Sequence, residues 1–337
     1  MVHFDLSVYL SLALLFGIAA QFRAMGGNAS LRRAVAALEA KVGLLFAVVV
    51  VTGVFSPLVL NDVVVLVLTP VLIAFCRDDP RAIAPLIVAE ITYANIASSL
   101  TPFGNPQNIL LWQASGASAA GFIALTWRPL ALSAVIAAVA LVPFARGRRS
   151  ARENENGTAS ITPILYLGVV AAVVLLGDVF DLPNWASLFI AFAAAFPATR
   201  RELPKMAREF DLTSLLVLYG FVSVAAVIAH FAAGALAGVA LDAASGAQPY
   251  AALVVGGLSA LISNVPATQV VVSLASISHA AASRLAVEAG LAGNLGPVAS
   301  FANVLALTMV KRAGLPLRRT ILLQVAVGIV AFLPAFL

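Results

Sequence analysis

Twice along this chain, an apolar stretch long enough to lie in a membrane is interrupted by proline, glycine and small polar residues. The first interruption reads Ser99-Leu100-Thr101-Pro102-Phe103-Gly104-Asn105-Pro106-Gln107-Asn108-Ile109-Leu110. The second reads Asn294-Leu295-Gly296-Pro297-Val298-Ala299-Ser300-Phe301-Ala302-Asn303-Val304-Leu305. Aligned without gaps, they share Leu, Pro, Asn and Leu at matching places. A helix broken inside hydrocarbon exposes N–H and C=O groups that lipid cannot pair, so the break survives only where protein buries it or where it lines a cavity. Corresponding breaks in two halves of a membrane chain point to a binding site between those halves.

The rest of the chain supplies the membrane context. It is 62% hydrophobic and 10% charged, against about 25% charged in a soluble domain. Its repeated apolar runs mark an all-α polytopic membrane protein. The basic residues sit in short loops, so the high pI is not a nucleic-acid signal and no nucleic-acid partner is expected. One cysteine, Cys76, excludes an internal disulfide and a cysteine metal cluster. The N-terminal region lacks the positive charge of a cleavable signal peptide. With no His/Asp/Glu metal cluster and no visible nucleophile–base pair, the chain does not read as an enzyme, and no resident cofactor is expected.

Eight crossing segments are expected, at about 4–22, 82–112, 128–146, 161–180, 182–198, 212–233, 285–310 and 319–337. Two further apolar pairs, 43–75 and 251–277, read as hairpins that return to their own side. With the Arg146 to Arg152 loop in the cytoplasm, 18 of the 20 lysines and arginines fall inside, and only Arg128 and Arg284 fall outside. The positive-inside rule then puts both termini on the outer face of the cytoplasmic (inner) membrane. On this threading no Lys or Arg lies deep in a crossing segment.

The two breaks belong to a longer repeat. Phe4-Asp5-Leu6-Ser7 opens the first copy and Phe210-Asp211-Leu212-Thr213 the second. Each opening leads into an apolar helix, a connector (28–42 and 234–250), a hairpin, a broken helix and a last helix. Five crossings separate the openings, and an odd number turns the second copy upside down, the usual design of secondary transporters. The expected organisation is a first repeat over 1–146, a linker with two scaffold helices and a basic loop over 147–209, and a second repeat over 210–337.

Each hairpin has a polar, proline-containing tip: Ser56-Pro57-Leu58-Val59-Leu60-Asn61-Asp62, and Ser263-Asn264-Val265-Pro266-Ala267-Thr268-Gln269. The arms beside the tips run to roughly 18–24 Å of helix, which reaches the middle of a core about 30 Å thick but spans it poorly. Both tips are therefore read as re-entrant. Helix N-termini at that depth carry free N–H groups that hold anions without a basic side chain, while opposing carbonyls suit Na⁺. The substrate- and ion-binding candidates are Asn61, Asp62, Thr101, Gly104, Asn105, Asn108, Ser263, Asn264, Thr268, Asn294, Gly296, Ser300 and Asn303. Removing the prolines and glycines of the breaks is expected to abolish the site.

Among ionisable residues, Asp62 and Glu90 are the proton-coupling candidates, since a carboxylate in a membrane segment is expensive and functional by default. Asp62 has an alternative as a cap of the second hairpin arm, and Glu90 as a side chain reaching for the cytoplasmic interface. Glu288 reads as a first-turn acidic residue, His230 as an interfacial histidine, and His279 as a loop residue.

Four motifs carry a family resemblance. Asn61-Asp62 with Leu68-Thr69-Pro70 resembles the first hairpin motif of the arsenite-permease and sodium/proton-antiporter branch of the ion transporter superfamily, which includes citrate-transporter-like anion permeases. Thr101 to Asn108 resembles that branch's first broken helix. Ser263-Asn264-Val265-Pro266 and Asn294-Leu295-Gly296-Pro297 resemble its second hairpin and second broken helix. In the related divalent anion:sodium symporters, Ser-Asn-Thr at both tips contacts substrate and Na⁺. The tips here are Leu60-Asn61-Asp62 and Ser263-Asn264-Val265, so that signature is incomplete. The resemblance implies a homodimer whose transport domain moves like an elevator against a scaffold. Family members carry scaffold helices before the first opening. Here three residues precede Phe4, so either a late start or a reduced scaffold is expected.

These readings converge on a secondary transporter of a small anion or oxyanion, coupled to H⁺ or Na⁺. The alternatives are a cation/proton antiporter and a non-transporting membrane remnant that lacks its N-terminal scaffold.

Overall fold

In the computed structural model, residues 6–76, 79–145, 161–231, 233, 238, 240–241 and 250–337 are described. Among them every regular element is a helix, with no strand. Arg77, the Phe4-Asp5 part of the first opening, the Arg146 to Arg152 loop and most of the 234–250 connector lie outside the described residues.

The first half comprises α1 (Leu6–Ala24), α2 (Gly27–Val42), α3 (Leu44–Phe55), α4 (Asn61–Phe75), α5 (Ile83–Ser98), α6 (Pro106–Ser115) and α7 (Ala119–Leu141). Between the halves lie α8 (Thr162–Val179), α9 (Asn184–Ala194), α10 (Phe196–Thr199) and α11 (Leu203–Glu209). The second half contains α12 (Leu212–Phe231), α13 (Tyr250–Ile262), α14 (Asn264–Leu274), α15 (His279–Ala292), α16 (Phe301–Arg312) and α17 (Leu317–Phe332). Four helical stretches are long and apolar enough to cross a membrane: Leu6–Ala24, Ala119–Phe144, Leu212–Phe231 and Leu317–Phe336. The hairpin arms are shorter, at 12 and 15 residues in the first pair and 13 and 11 in the second. At 1.5 Å per residue, none of these arms spans a core about 30 Å thick.

Contacts between the halves exchange as a two-fold axis requires. α3 lies on α5, and α13 lies on α15. Across the halves, α4 meets α16 and α14 meets α6; likewise α5 meets α17 and α15 meets α7. The axis runs where α5 and α15 touch each other. Small side chains make that approach close: Ala84, Ala89 and Ala94 on α5 and Ala282, Ala286 and Ala289 on α15 are fully buried. Between membrane helices, attraction comes from close contact and hydrogen bonds rather than water exclusion, so small residues at the crossing favour association.

Several expected boundaries shift, for local reasons. The segment expected at 128–146 begins at Ala119, where Ser118 caps the helix by accepting from the Gly121 N–H at 3.0 Å. The helix continues through Pro129, as membrane helices tolerate. Arg128 therefore lies inside a crossing helix, correcting the expectation that no basic residue does. The segment expected at 285–310 begins at His279, capped by Ser278. This makes His279 helical and places Glu288 in the third turn, 1% exposed, rather than in a first turn. The segment expected at 182–198 is not one helix: α9 ends at Ala194, and Pro197 and Pro204 each open a new short helix. Lys205 on α11 donates to the Ala24 carbonyl at 2.7 Å, and the Arg23 guanidinium donates to the Glu209 carbonyl, so this segment clamps the end of α1.

Candidate functional site

Each hairpin tip is sewn to the break in its own half. The Asn61 N–H donates to the Gly104 carbonyl at 3.0 Å, and the Asn264 N–H donates to the Ala299 carbonyl at 2.9 Å. Gly104 and Ala299 are 195 residues apart, the same shift that aligns the two breaks. The first pair has an extra tie, Thr101 Oγ1 donating to the Pro57 carbonyl at 2.6 Å.

The same shift governs the inside of each break. Asn108 Nδ2 donates to the carbonyls of Ser98 and Thr101 at 3.0 and 2.8 Å. Asn303 Nδ2 donates to Gly293 and Gly296 at 2.6 and 2.9 Å. Every one of these positions moves by 195. A carboxamide here performs the task water cannot: it pairs carbonyls left over where a helix ends. Asn108 and Asn303, both chosen as binding candidates, thus brace the breaks. Gln324 of α17 also donates to the Gly296 carbonyl, at 2.9 Å.

At the centre lies Asn95, near the end of α5 and fully buried. Its Nδ2 donates to Asn294 Oδ1 at 3.0 Å and to Asn303 Oδ1 at 3.1 Å. Its Oδ1 accepts from Ser300 Oγ at 2.9 Å and from Asn61 Nδ2 at 3.4 Å. A carboxamide has two donor hydrogens and two acceptor lone pairs, so Asn95 is used completely. It joins the first hairpin tip and the second break through side chains alone.

Its neighbours are not used completely. Asn61 Oδ1, Asn264 Nδ2 and Asn294 Nδ2 are buried and have no hydrogen-bond partner among the described residues. Such groups normally find one. Three nearby helices also start without a side-chain cap: α4 after Leu60, α14 after Ser263 and α16 after Ser300, whose hydroxyl is committed to Asn95. Of the four helices that start at the tips and breaks, α6 alone is capped by its preceding residue, Asn105, which accepts from the Gln107 N–H. Asn105 Nδ2 meets Ser98 Oγ at 3.4 Å, on the other side of the axis. The centre therefore combines acceptor oxygen, amide donors and helix N-termini, and no basic side chain hydrogen-bonds into it among the described residues.

The two-fold symmetry fails at one chemical point. The mate of Asn95 under the 195-residue shift is Gly290, where an added Cβ would sit 1.7 Å from Ser99 Oγ. The amide cluster consequently forms on one side only. A second asymmetry lies at the tips: Ser263 has φ 73°, ψ 155°, a region disfavoured for a residue with a side chain, whereas Leu60 has an ordinary φ of −47°. Strain of that kind costs about 1–3 kcal/mol and gathers at functional sites.

The break glycines differ in what they do. A Cβ on Gly104 would lie 2.4 Å from the Ser98 carbonyl oxygen, whereas Gly296 has nothing within 4 Å of that point. Gly104→Ala is expected to lower stability by about 1–3 kcal/mol and to impair folding into the membrane, while Gly296→Ala matches the parent in thermal denaturation. Steric room alone therefore does not make Gly296 necessary for the fold, as it does Gly104.

Asp62 lies in the first turn of α4, 4% exposed; the residue preceding that helix is Leu60, so Asp62 is not its N-cap. Glu90 is fully buried and accepts from Thr69 Oγ1 at 2.9 Å, which excludes the interface-seeking alternative. A cavity of about 430 Å³ lined by Arg23, Arg208, Asp211, Leu66 and Val67 opens beside α4, one turn beyond Asp62. Thr268 is buried on α14, and His230 lies at the end of α12 as expected. Asn95 was missed by the sequence reading, although an asparagine within an apolar helix is the available signal. Gln324, a carboxamide within the apolar α17, carried the same signal, and Gly290 carried none. Among the described residues, no group of His, Cys, Asp and Glu is arranged to hold a metal.

Comparison with known proteins gives the family of this chain. A family model described as citrate transporter (CitMHS) matches residues 1–293. The inner membrane protein YbiR of Escherichia coli is 30% identical over 266 residues, covering 77% of this chain and 68% of its own length. The uncharacterized transporter Rv2685 of Mycobacterium tuberculosis is 26% identical over 300 residues, covering 80% and 69% respectively. The silicon efflux transporter LSI3 of Oryza sativa subsp. japonica is 41% identical over 64 residues, 19% of this chain and 13% of its own. A helical, multi-pass chain with paired breaks meeting at one polar centre is a membrane transporter. It belongs to the CitMHS citrate-transporter family, within the ion transporter superfamily.

Proposed function

We propose that this chain is a secondary active transporter of a small anion or oxyanion, coupled to H⁺ or Na⁺ at the Asn95-centred site. The single observation that carries the reading is that uncapped helix N-termini and unpartnered carboxamide ends meet in one buried place with no basic side chain hydrogen-bonded there among the described residues. Donor groups of that kind match a desolvated anion, and the carbonyl and amide oxygens beside them match a hard cation. Asn61, Asn264 and Asn294 contact the cargo. Asn95 positions them, and Asp62 or Glu90 carries the coupling proton. Alternating access is of the elevator type, in a homodimer of the inner membrane with both termini outside.

A second reading, cation/proton exchange without an anion, is favoured by two buried carboxylates, Asp62 and Glu90, in membrane segments. One experiment separates the two. The full chain is reconstituted in liposomes containing a pH dye, and Na⁺ is added alone, then a panel of citrate, arsenite and inorganic oxyanions with and without Na⁺. A response that needs one anion, lost in Asn61→Ala, Asn264→Ala and Asn105→Ala at normal membrane insertion, is the expected result. A response to Na⁺ alone, lost in Asp62→Asn, makes the exchanger the right reading. Wild-type rates in all three asparagine variants refute the site.

A further inference from the structure

The opening of the second repeat takes no part in the Asn95-centred site, yet it walls the cavity of about 430 Å³ beside α4. Residues 210–213 form one side, and Arg23, Asn28, Leu66, Arg208 and Glu209 contribute to the rest. Two oxygens there call for a donor. Asn28 Oδ1 is buried with no hydrogen-bond partner among the described residues. Pro70 lies inside α4 and has no N–H, so the Leu66 carbonyl lacks its usual helical partner. A polar cavity of this size holds several waters at about 30 Å³ each. Of the charges on the wall, Arg23 Nε and Glu209 Oε2 lie 3.7 Å apart and offset one another. Arg208 is exposed, and Asp211 is half-buried. Asp211 caps α12, accepting from the Ser214 N–H at 2.9 Å and from Ser214 Oγ at 2.6 Å. A carboxylate has about four acceptor positions, so the cap does not exhaust it.

The cavity reaches toward the first hairpin tip. Between Asn61 and Thr69, Leu66 alone is not buried, which marks where the cavity meets α4. Asp62 precedes Leu66 by four residues and so lies on the same face, one turn nearer the tip. It keeps 4% of its surface, whereas Glu90 keeps none. Asp62 and Asp211 are close enough for their charges to act on one another. The repeat does not require a carboxylate at this place. Aligned on the tip asparagines Asn61 and Asn264, the second tip has Val265 where the first has Asp62.

Resting on the transporter reading above, we infer that this cavity is the aqueous vestibule through which the coupling cation reaches Asp62, with Asp211 steering it inward. Water on the wall solvates a small monovalent cation on the way in. A negative charge in a cleft with low-dielectric walls concentrates cations there. The Asp211 opening thus has two tasks, to start α12 and to set the sign of what enters.

Cysteine labelling tests this without a transported substrate. The full chain carries Cys76→Ala, which removes its one cysteine, and then Leu66→Cys, Asp62→Cys or Arg208→Cys singly. Right-side-out and inverted membrane vesicles are treated with impermeant thiosulfonates, one cationic and one anionic. All three positions are expected to react from the same single face. Adding Asp211→Asn, which preserves the helix cap, is expected to cut the cationic-to-anionic rate ratio at Asp62→Cys about tenfold. An Asp62→Cys thiol that reacts from neither face, or only from the face opposite Leu66→Cys, overturns the vestibule. An unchanged ratio in Asp211→Asn overturns the steering. In the liposome assay, labelled Leu66→Cys is expected to lose the pH-dye response of the unlabelled variant, and an intact response overturns the route. A parent chain that gives no response to any ion fails as a transporter, a result separate from the labelling pattern.

Discussion

Asn95→Ala is expected to reduce transport at least about a hundredfold while the protein still reaches the membrane. The substitution removes all four hydrogen bonds of one carboxamide at once. Asn294 Oδ1 and Asn303 Oδ1 lose their shared donor, and Asn61 Nδ2 and Ser300 Oγ lose their shared acceptor. Each buried polar group left unpaired costs about 1–3 kcal/mol, and a few such losses exceed what a hundredfold rate change requires. The breaks themselves keep their braces, since Asn108 and Asn303 hold their own loop carbonyls. Loss should therefore fall on the arrangement of the site more than on insertion. Asn95→Asp should fail as well: it keeps an acceptor for Asn61 and Ser300 but presents oxygen to two asparagine oxygens. Flux into liposomes, with membrane insertion measured alongside, checks both variants. Near-parental flux in Asn95→Ala would show that the amide cluster is not the transport site.

Gly328→Ala is expected to destabilise the protein by about 3 kcal/mol or more and to abolish transport with it. A Cβ at Gly328 on α17 would lie 2.0 Å from the Asn294 carbonyl oxygen and 2.6 Å from its carbon. Those are backbone atoms of the second break, where no flexible chain end can move aside. Overpacking at a tight contact typically costs 1–3 kcal/mol, and more where the backbone itself must shift. The displaced residue is the one whose Oδ1 accepts from Asn95, so the clash reaches the site directly. Gly257→Ala on α13 is the matched control, because nothing lies within 4 Å of its added Cβ. Thermal denaturation of the purified pair measures the effect. Equal melting temperatures would mean that α17 does not seat against the second break.

The parts of this protein legible in its sequence are those governed by neighbours along the chain. A proline or glycine inside an apolar run breaks a helix wherever it later sits, so both breaks and both tips stand where their residues indicate. The 195-residue shift that aligns the breaks reappears, bond for bond, in the loop braces; in the tip-to-break ties it holds for the acceptors Gly104 and Ala299, while the donors Asn61 and Asn264 are 203 residues apart. Helix starts were less legible. Ser118 and Ser278 begin their helices well before the expected positions, because hydrophobic runs weigh apolar content whereas a cap acts through one hydroxyl.

The sequence by itself determined the helical membrane class, the repeat and the four polar interruptions, since each follows from local backbone chemistry in a solvent without hydrogen-bonding partners. Only the tertiary structure decided which amides are used up and which remain open. Asn95 finds Asn294 and Asn303 across 199 and 208 residues of chain, where α5 and α15 cross. The seating of α17 on the second break likewise separates Gly328, which has no room, from Gly296, which has ample room. None of these has a local signature, because a side chain's partners are set by how helices far apart in the chain cross, and a two-fold repeat leaves open which of its two equivalent places carries the polar group.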